Sequence, residues 1–282
     1  MKNNILIGTS SYSSKDWVGP FYPPGTKAVD FLKYYSQKLN TVEIDSTYYA
    51  VPSGKTVLGW RDNTPDNFIF AAKFPRSIVH GGEDAVPSGE KVLIPHAVNN
   101  IRDDFLEKMS LLGGKLGPLL IQFPYFNKNV FPEKEHFFER LETFLAELPS
   151  DFRYVVEIRN RYWLNTEFTS ILKRYNTALA LTDHSYMPMP HEISQKFNPV
   201  TTDFSYIRLL GDRKKIEEIT TSWDKVVLDK TENLNKIAGF LLKLSRQKIF
   251  TYTYINNHYA GHAPETLRNL QEYLDRLIGA GE

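Results

Sequence analysis

Charged side chains that could move protons or hold an anion recur in short apolar runs of the sequence. Glu43 lies in TVEIDS, Lys73 ends FIFAAK, Glu157 and Arg159 share YVVEIRN, and Arg208 lies in YIRLLG. Glutamate and lysine serve as general acids and bases, and lysine can also act as a nucleophile. Arginine presents a planar fork of donors to phosphate or carboxylate. These residue types suit acid–base chemistry on a small anionic substrate, with Glu43, Lys73 and Glu157 as the catalytic candidates.

The alternation within these runs turns the charged residues to one face. In TVEIDS, Val42 and Ile44 take the face toward the helices, which turns Glu43 inward. In YVVEIRN, Glu157 and Arg159 share a face by the same period of two. Burying an ion costs several kcal/mol even after relaxation, so stability alone is a poor reason for such residues. An ion-paired polar layer without a substrate is the structural alternative.

Eight β-type runs alternate along the chain with segments of helical period. The strand candidates are 5–7, 41–44, 68–73, 119–123, 154–158, 178–182, 206–210 and 250–255, and helical apolar stripes cover 101–112, 137–148, 168–175, 234–242 and 267–278. This alternation predicts an α/β fold, a (β/α)₈ TIM-type barrel, with residues 1–282 as a single domain. An open doubly wound sheet is the alternative, but GTSSYSS follows the first strand where that fold has a glycine-rich phosphate loop.

A barrel of this kind places its chemistry at the carboxyl ends of the strands, on long connecting loops. Three connections exceed ordinary length: 12–28, 74–98 and 183–203. Positive charge and aromatic rings lie just after strand ends, which suits an anionic ligand. The predicted ligand-binding residues are Trp17, Tyr48, Arg76, His80, Gln122, Arg159, Asp183, Arg208 and Asn257. For Trp17, packing of its loop onto the barrel is an equally good interpretation.

The composition excludes several classes of protein. The 282 residues include 34 lysines and arginines against 33 aspartates and glutamates, so bulk charge gives no argument for a nucleic-acid-binding or membrane-surface protein. The absence of cysteine excludes a disulfide framework, an iron–sulfur cluster and a cysteine nucleophile. The start MKNNILIGTSS lacks the long apolar stretch of a signal peptide. We therefore expect a cytoplasmic protein whose partner is a small anionic ligand, with no membrane as partner and with a nucleic acid disfavoured.

A divalent metal site is disfavoured by the spacing of the possible ligands. The histidines after strand ends could in principle join Glu43, Glu157 and Asp183; they are His80, His184, His258 and His262. No HExxH and no His-x-His pair occurs, however, and lone histidines usually hydrogen-bond within loops. The sequence predicts no metal ligand and no other cofactor.

Seven blocks of the sequence resemble, in their order, the YecE-like family, also known as domain of unknown function 72. The blocks are GTSSYSSKDWVGPFYP, VEIDSTYY, FAAKFPRSIVH, LGPLLIQFP, VVEIRNRYW, YIRLLG and TYTYINNHYAGHAPETL, and they span nearly the whole chain. The resemblance implies a TIM-type barrel of bacterial and archaeal cytoplasmic proteins with no established biochemical activity. The matched positions are Glu43, Lys73, Pro75, Arg76, His80, Gln122, Glu157, Arg159, Trp163, Arg208, Asn257 and Ala263.

The chain departs from the family's usual residues at a few positions. Ser11 and Tyr12 stand where Gly-Trp is common, and Asp45 stands where an asparagine is often found. Leu210 replaces the histidine that usually precedes the glycine of the YIRLLG block. The last change removes a possible acid–base group or metal ligand, and it further weakens the metal interpretation.

Three functions fit these observations. The first is a cofactor-independent enzyme that acts on a small anionic substrate, phosphorylated or sugar-like, by acid–base chemistry. The second is a non-catalytic barrel that binds a metabolite or nucleic acid. The third is a metal-dependent phosphoesterase or nuclease, which rests on analogy with other barrels alone. The first is favoured because barrels of this type are mostly enzymes.

Overall fold

The computed structural model describes residues 4–280. Within that range eight strands close into a barrel in chain order, from β1 to β8. The strands are β1 Ile5–Ser10, β2 Thr41–Ile44, β3 Ile69–Lys73, β4 Leu116–Gln122, β5 Tyr154–Glu157, β6 Ala178–His184, β7 Phe204–Gly211 and β8 Phe250–Ile255. The predicted TIM-type barrel is therefore confirmed, with each predicted strand present and its ends moved by a few residues.

The strands pair in parallel, and their apolar composition follows from burial on both faces. β7 pairs with β8 from Phe204↔Phe250 to Leu209↔Ile255, and β1 pairs with the other side of β8. In β4 the five central residues are all buried. Such strands read as continuous apolar runs, so a polar residue within or just after one of them stands out in the sequence.

Helices connect the strands and pack their apolar stripes against the barrel. The described helices are α1 Phe31–Lys38, α2 Gly54–Asp62, α3 Arg76–Val79, α4 Pro95–Ser110, α5 Lys134–Ala146, α6 Thr166–Arg174, α7 Pro190–Lys196, α8 Arg213–Glu217, α9 Thr231–Arg246 and α10 Ala263–Gly279. The five predicted stripes correspond to α4, α5, α6, α9 and α10. Leu112, Leu148 and Tyr175, placed in those stripes by their spacing, lie just beyond the helix ends.

The long connections contain short helices of their own. α3 lies in the connection 74–98 and α7 lies in 183–203. A further long connection, 212–230, follows β7 and contains α8, and its length was not anticipated from the sequence. α8 is a solvated helix, since Ile216 is its one buried residue.

Contacts group the chain into two compact units. The first comprises residues 4–43 and 181–280, and the second comprises residues 44–180. The interpretation of the chain as a single domain stays a prediction. None of the helices between residues 4 and 280 has the length and apolar character needed to cross a membrane.

In the first unit, Gly211 at the end of β7 lies so close to the turn after β8 that only glycine fits at this position. Gly211 has a φ of +71°, in the left-handed region that favours glycine. A Cβ atom at this position would come within 2.6 Å of the carbonyl oxygen of His258. The residue before it, Leu210, is half-buried in an otherwise buried strand.

Candidate functional site

In the first unit, a fully buried ion pair joins β2 to β7. Arg208 donates to both carboxylate oxygens of Glu43, through Nε and Nη2, at 2.8 Å each. The hydroxyl of Tyr206 donates to Glu43 Oε2 at 2.7 Å. The side chains of Glu43 and Arg208 are 0% and 1% exposed. The inward orientation predicted for Glu43 from strand alternation agrees with these contacts.

Burial also raises the pKa of the tyrosines around this ion pair. The pKa of Tyr206 is raised well above its usual value, first by desolvation and then by the negative charge of Glu43. Tyr254, whose hydroxyl lies 2.7 Å from Thr41 Oγ1, has its pKa raised by burial as well. These hydroxyls therefore stay protonated, and that of Tyr206 donates to the carboxylate of Glu43.

Asp183 in β6 is a second buried carboxylate of the first unit, and it accepts two hydrogen bonds. Its Oδ2 accepts from the hydroxyl of Tyr259 at 2.8 Å and from Nδ2 of Asn233 at 3.1 Å. Burial, followed by the charge of Asp183, raises the pKa of Tyr259. The ammonium group of Lys230 lies 5.1 Å from the centre of the Tyr259 ring. Asp183 thus connects β6 to the β8 turn and to α9.

Trp17 and Asn257 lie against each other in the first unit. The indole Nε1 of Trp17 donates to Asn257 Oδ1 at 3.1 Å, and the backbone N–H of Ala263 donates to the same oxygen at 3.0 Å. Trp17 is 1% exposed and packs edge-on against Phe21. In this structure both residues fasten the first long loop to the turn after β8, and their predicted roles in ligand binding stay predictions.

In the second unit, the turn after β2 is anchored on the end of β3. Thr47 Oγ1 donates to the carbonyl of Lys73 at 2.8 Å and accepts from the Lys73 backbone N–H at 3.1 Å. Thr47 is itself buried, whereas Lys73 is half-buried. The exchange fixes the next residue, Tyr48, beside the carboxyl end of β3.

The side chain of Tyr48 contacts a residue that follows β3. Its hydroxyl lies 2.8 Å from Nε2 of His80. Burial raises the pKa of Tyr48 to about 12, while the positive charges of Arg76 and Arg159 oppose the rise. Burial, followed by the charge of Arg76, lowers the pKa of His80. Both guanidinium groups therefore lie within electrostatic reach of the Tyr48 hydroxyl, and His80 is held neutral.

The end of β5 adds a carboxylate and a further cation to the second unit. Arg159 Nη2 lies 2.6 Å from Glu157 Oε1, with the two side chains 15% and 0% exposed. Gln122 of β4 pairs in register with Glu157, and Lys73 of β3 pairs with Leu120. Parallel pairing thus brings the ends of β3, β4 and β5 to one edge, as strand parity indicated.

The second unit therefore brings together one set of predicted residues, which we call the β3–β5 site. Its members are Tyr48, Lys73, Arg76, His80, Gln122, Glu157 and Arg159. The other predicted residues, Trp17, Glu43, Asp183, Arg208 and Asn257, belong to the first unit. Across residues 4–280, no three His, Asp or Glu side chains cluster in a way that could hold a metal ion. The expectation of no cofactor stays a prediction.

Residues that hold these groups in place were missed by the sequence analysis. Thr47 positions Lys73, and Asn160 follows Arg159 directly and anchors its loop. Asn233 and Tyr259 complete the surroundings of Asp183. The position of Asn160 just after a charged strand end was a usable signal, whereas the other partners come from elements far apart in the chain.

Comparisons with known proteins agree with this architecture. The family model described as "Protein of unknown function DUF72" matches residues 6–280. The UPF0759 protein YecE of Escherichia coli O157:H7 is 25% identical over 287 residues, covering 97% of this chain and 94% of that protein. A DUF72 family protein of Thermotoga maritima has a TM-score of 0.69 at 25% identity, covering 96% of this chain and 99% of that one.

A second solved structure, a DUF72 family protein of Enterococcus faecalis, has a TM-score of 0.68 at 22% identity and covers 96% of this chain and 95% of its own. At that identity the likeness shows the fold alone. The match of the family model over nearly the whole chain shows more, because it includes the strands and turns that carry the polar residues of both units. The chain therefore belongs to the DUF72 family.

Proposed function

We propose that the β3–β5 site is the active site of a cofactor-independent enzyme that acts on a small anionic substrate by acid–base chemistry. The substrate class is a phosphorylated or sugar-like metabolite. Arg76 and Arg159 hold the anion, and Lys73 exchanges a proton with the reacting group. Lysine near carboxylates and apolar walls is readily tuned for that task.

The observation that supports the proposal is a group of three cationic side chains at the ends of β3 and β5, beside a buried carboxylate. Lys73 is half-buried, the side chains of Arg76 and Arg159 are 26% and 15% exposed, and the fully buried Glu157 pairs with Arg159. Glu83 approaches Arg76 only to 3.8 Å, and its own side chain is 69% exposed. A surface ion pair of that kind is weak and yields readily to a ligand. An anion bound here would accept charge-assisted hydrogen bonds from the arginines.

Exposure distinguishes the roles of the three catalytic candidates. Glu43 and Glu157 have side chains with 0% exposure, and each is engaged by an arginine. Lys73 is half-buried at the end of a strand. In the proposal Lys73 is the acid–base residue that reaches the substrate, and Glu157 positions Arg159. The acid–base roles predicted for the two glutamates stay predictions.

Binding of a simple anion to matched arginine variants tests the proposal. We expect pyrophosphate to raise the thermal midpoint of the wild-type protein, and Arg76→Ala to weaken this binding about tenfold or more through loss of a charge-assisted hydrogen bond. Arg61→Ala is the control, because Arg61 is also half-exposed and paired with an adjacent carboxylate, Asp62, but lies on α2 away from the site. Equal binding by the two variants contradicts the assignment.

Turnover tests the role of Lys73. In a screen of phosphorylated metabolites, we expect Lys73→Met to lower kcat by about 10²- to 10⁴-fold, as for loss of a general acid or base, while pyrophosphate affinity falls much less. Ligand-dependent stabilisation without turnover of any metabolite would favour a non-catalytic binding barrel instead.

A further inference from the structure

Exposed aromatic rings in this protein lie at one kind of position. Among the described residues four aromatic side chains are largely exposed: Tyr49, Tyr125, Tyr162 and Tyr186, at 67%, 65%, 86% and 68%. Each follows the carboxyl end of a strand within five residues, after β2, β4, β5 and β6. The first three belong to the second unit, which contains the β3–β5 site. Scattered exposed rings need no explanation, but rings confined to strand ends do.

Tyr125 and Tyr162 are held on two loops that are joined to each other. Asn160 accepts from the backbone N–H of Phe126 at 2.9 Å and donates to its carbonyl at 2.8 Å. The rings of Phe126 and Trp163 stack at 6.2 Å with 27° between their planes. Each exposed tyrosine directly precedes one of these two anchored aromatic residues. The two loops therefore present both rings to solvent from a fixed base.

The loop after β5 also carries Arg159, one of the cations of the β3–β5 site. Arg159 directly precedes Asn160, and the guanidinium of Arg161 lies 5.5 Å from the centre of the Tyr162 ring. On the other side of the site, Tyr49 packs edge-on against Tyr48 at 5.4 Å. The site thus combines a cluster of positive charge with flat, solvent-facing aromatic surfaces.

We propose that the anionic ligand of the β3–β5 site is a nucleoside phosphate, whose phosphate meets Arg76 and Arg159 and whose base stacks on Tyr162 or Tyr125. This inference rests on the proposed function and specifies its substrate class. Tyrosine rings stack on any nucleobase through their faces, and arginine provides the fork that phosphate requires.

A free nucleotide fits the site better than a long strand. Binding along a nucleic-acid backbone requires a row of cations, and the chain as a whole carries 34 basic against 33 acidic residues. The positive charge of the site is confined to the ends of β3 and β5. One phosphate group next to one planar base matches that extent.

Titration calorimetry with four ligands separates the contributions of phosphate, sugar and base. The ligands are pyrophosphate, ribose 5-phosphate, adenosine monophosphate and an oligothymidylate. We expect adenosine monophosphate to bind about 5- to 150-fold more tightly than ribose 5-phosphate, the range for stacking of one base. Tyr162→Ala and Tyr125→Ala together should remove this preference and leave pyrophosphate affinity unchanged. Tyr162→Phe with Tyr125→Phe keeps the rings and should keep the preference.

The outcomes distinguish this inference from the function on which it rests. Equal affinity for adenosine monophosphate and ribose 5-phosphate overturns the nucleotide assignment but leaves the anion site intact. Failure of pyrophosphate and of all phosphorylated ligands overturns both. If the oligothymidylate binds far more tightly, with a steep dependence on salt, the ligand is a nucleic-acid strand. That result supports stacking of bases on the tyrosines and overturns a free nucleotide as the ligand.

Discussion

At the scale of single residues, Ser11 occupies a backbone conformation that favours glycine. Its φ is +76°, and its backbone N–H and carbonyl both form hydrogen bonds just after the end of β1. The Ser11 N–H donates to the carbonyl of Glu43 at 2.8 Å, and Thr9 Oγ1 donates to the Ser11 carbonyl at 2.7 Å. These bonds hold the left-handed conformation, which costs a residue with a Cβ atom about 1–2 kcal/mol. Glycine, which has no Cβ atom, would adopt this conformation without that cost.

We expect Ser11→Gly to raise the free energy of unfolding by about 1 kcal/mol, because relief of the left-handed strain exceeds the added entropy of the unfolded chain. Urea denaturation measures the change. Ser13→Gly is the matched control, since it breaks the same hydroxyl contact between Ser11 and Ser13 at a residue whose φ is not positive. That variant should be destabilised by about 0.5 kcal/mol. A loss of stability in both variants contradicts the account.

Residue types and the alternation of strand residues predict which way a side chain faces, but they do not predict its partner. The period of two in TVEIDS predicted that Glu43 turns inward, and its buried contacts agree with that orientation. It did not predict that Arg208 would donate to both carboxylate oxygens of Glu43, because β2 and β7 are not neighbours in the sheet and the closure of the barrel sets that pairing. Nor did it predict Asn233 as a partner of Asp183, since α9 follows Asp183 by about 50 residues.

At the scale of elements, the loops after β4 and β5 act as one platform because Asn160 joins them. Asn160 is buried and satisfies both backbone groups of Phe126. The five helices with long apolar stripes were predicted, because their period repeats over two or more turns, and the strands were predicted as short apolar runs. α3 and α7 span only four and seven residues, too few to show a helical period, so they were not found within their loops.

We expect Asn160→Ala to lower the free energy of unfolding by about 1–3 kcal/mol, because it leaves a buried N–H and a buried carbonyl without partners. It should also weaken pyrophosphate binding at the β3–β5 site, since Arg159 loses its anchor. Asn165→Ala is the control, because Asn165 caps α6 by accepting from the Phe168 N–H at 2.9 Å, and its loss costs about 1 kcal/mol. Urea denaturation and calorimetry on both variants make the measurement. If the control weakens anion binding as much as Asn160→Ala does, the platform has no specific role.

At the scale of the whole molecule, the buried tyrosines link stability to alkaline pH. Tyr35, Tyr206 and Tyr254 all have their pKa raised above the usual 10.0, chiefly by desolvation. Above that value the unfolded chain loses phenolic protons that the folded protein keeps. Their contribution to stability is therefore fully present below pH 10 and is lost as the pH rises further.

Each such tyrosine should lower the free energy of unfolding by about 1.4 kcal/mol for every pH unit above about pH 10. Urea denaturation at a series of alkaline pH values gives the slope, and phenolate absorbance shows whether ionisation accompanies unfolding. Tyr254→Phe should make the slope shallower by one proton, whereas Tyr162→Phe, at a ring that is 86% exposed, should leave it unchanged. If phenolate forms at these three positions near pH 10 while the protein stays folded, the burial of these hydroxyls is contradicted. A hydroxyl that the fold keeps from water ionises only after the structure around it opens.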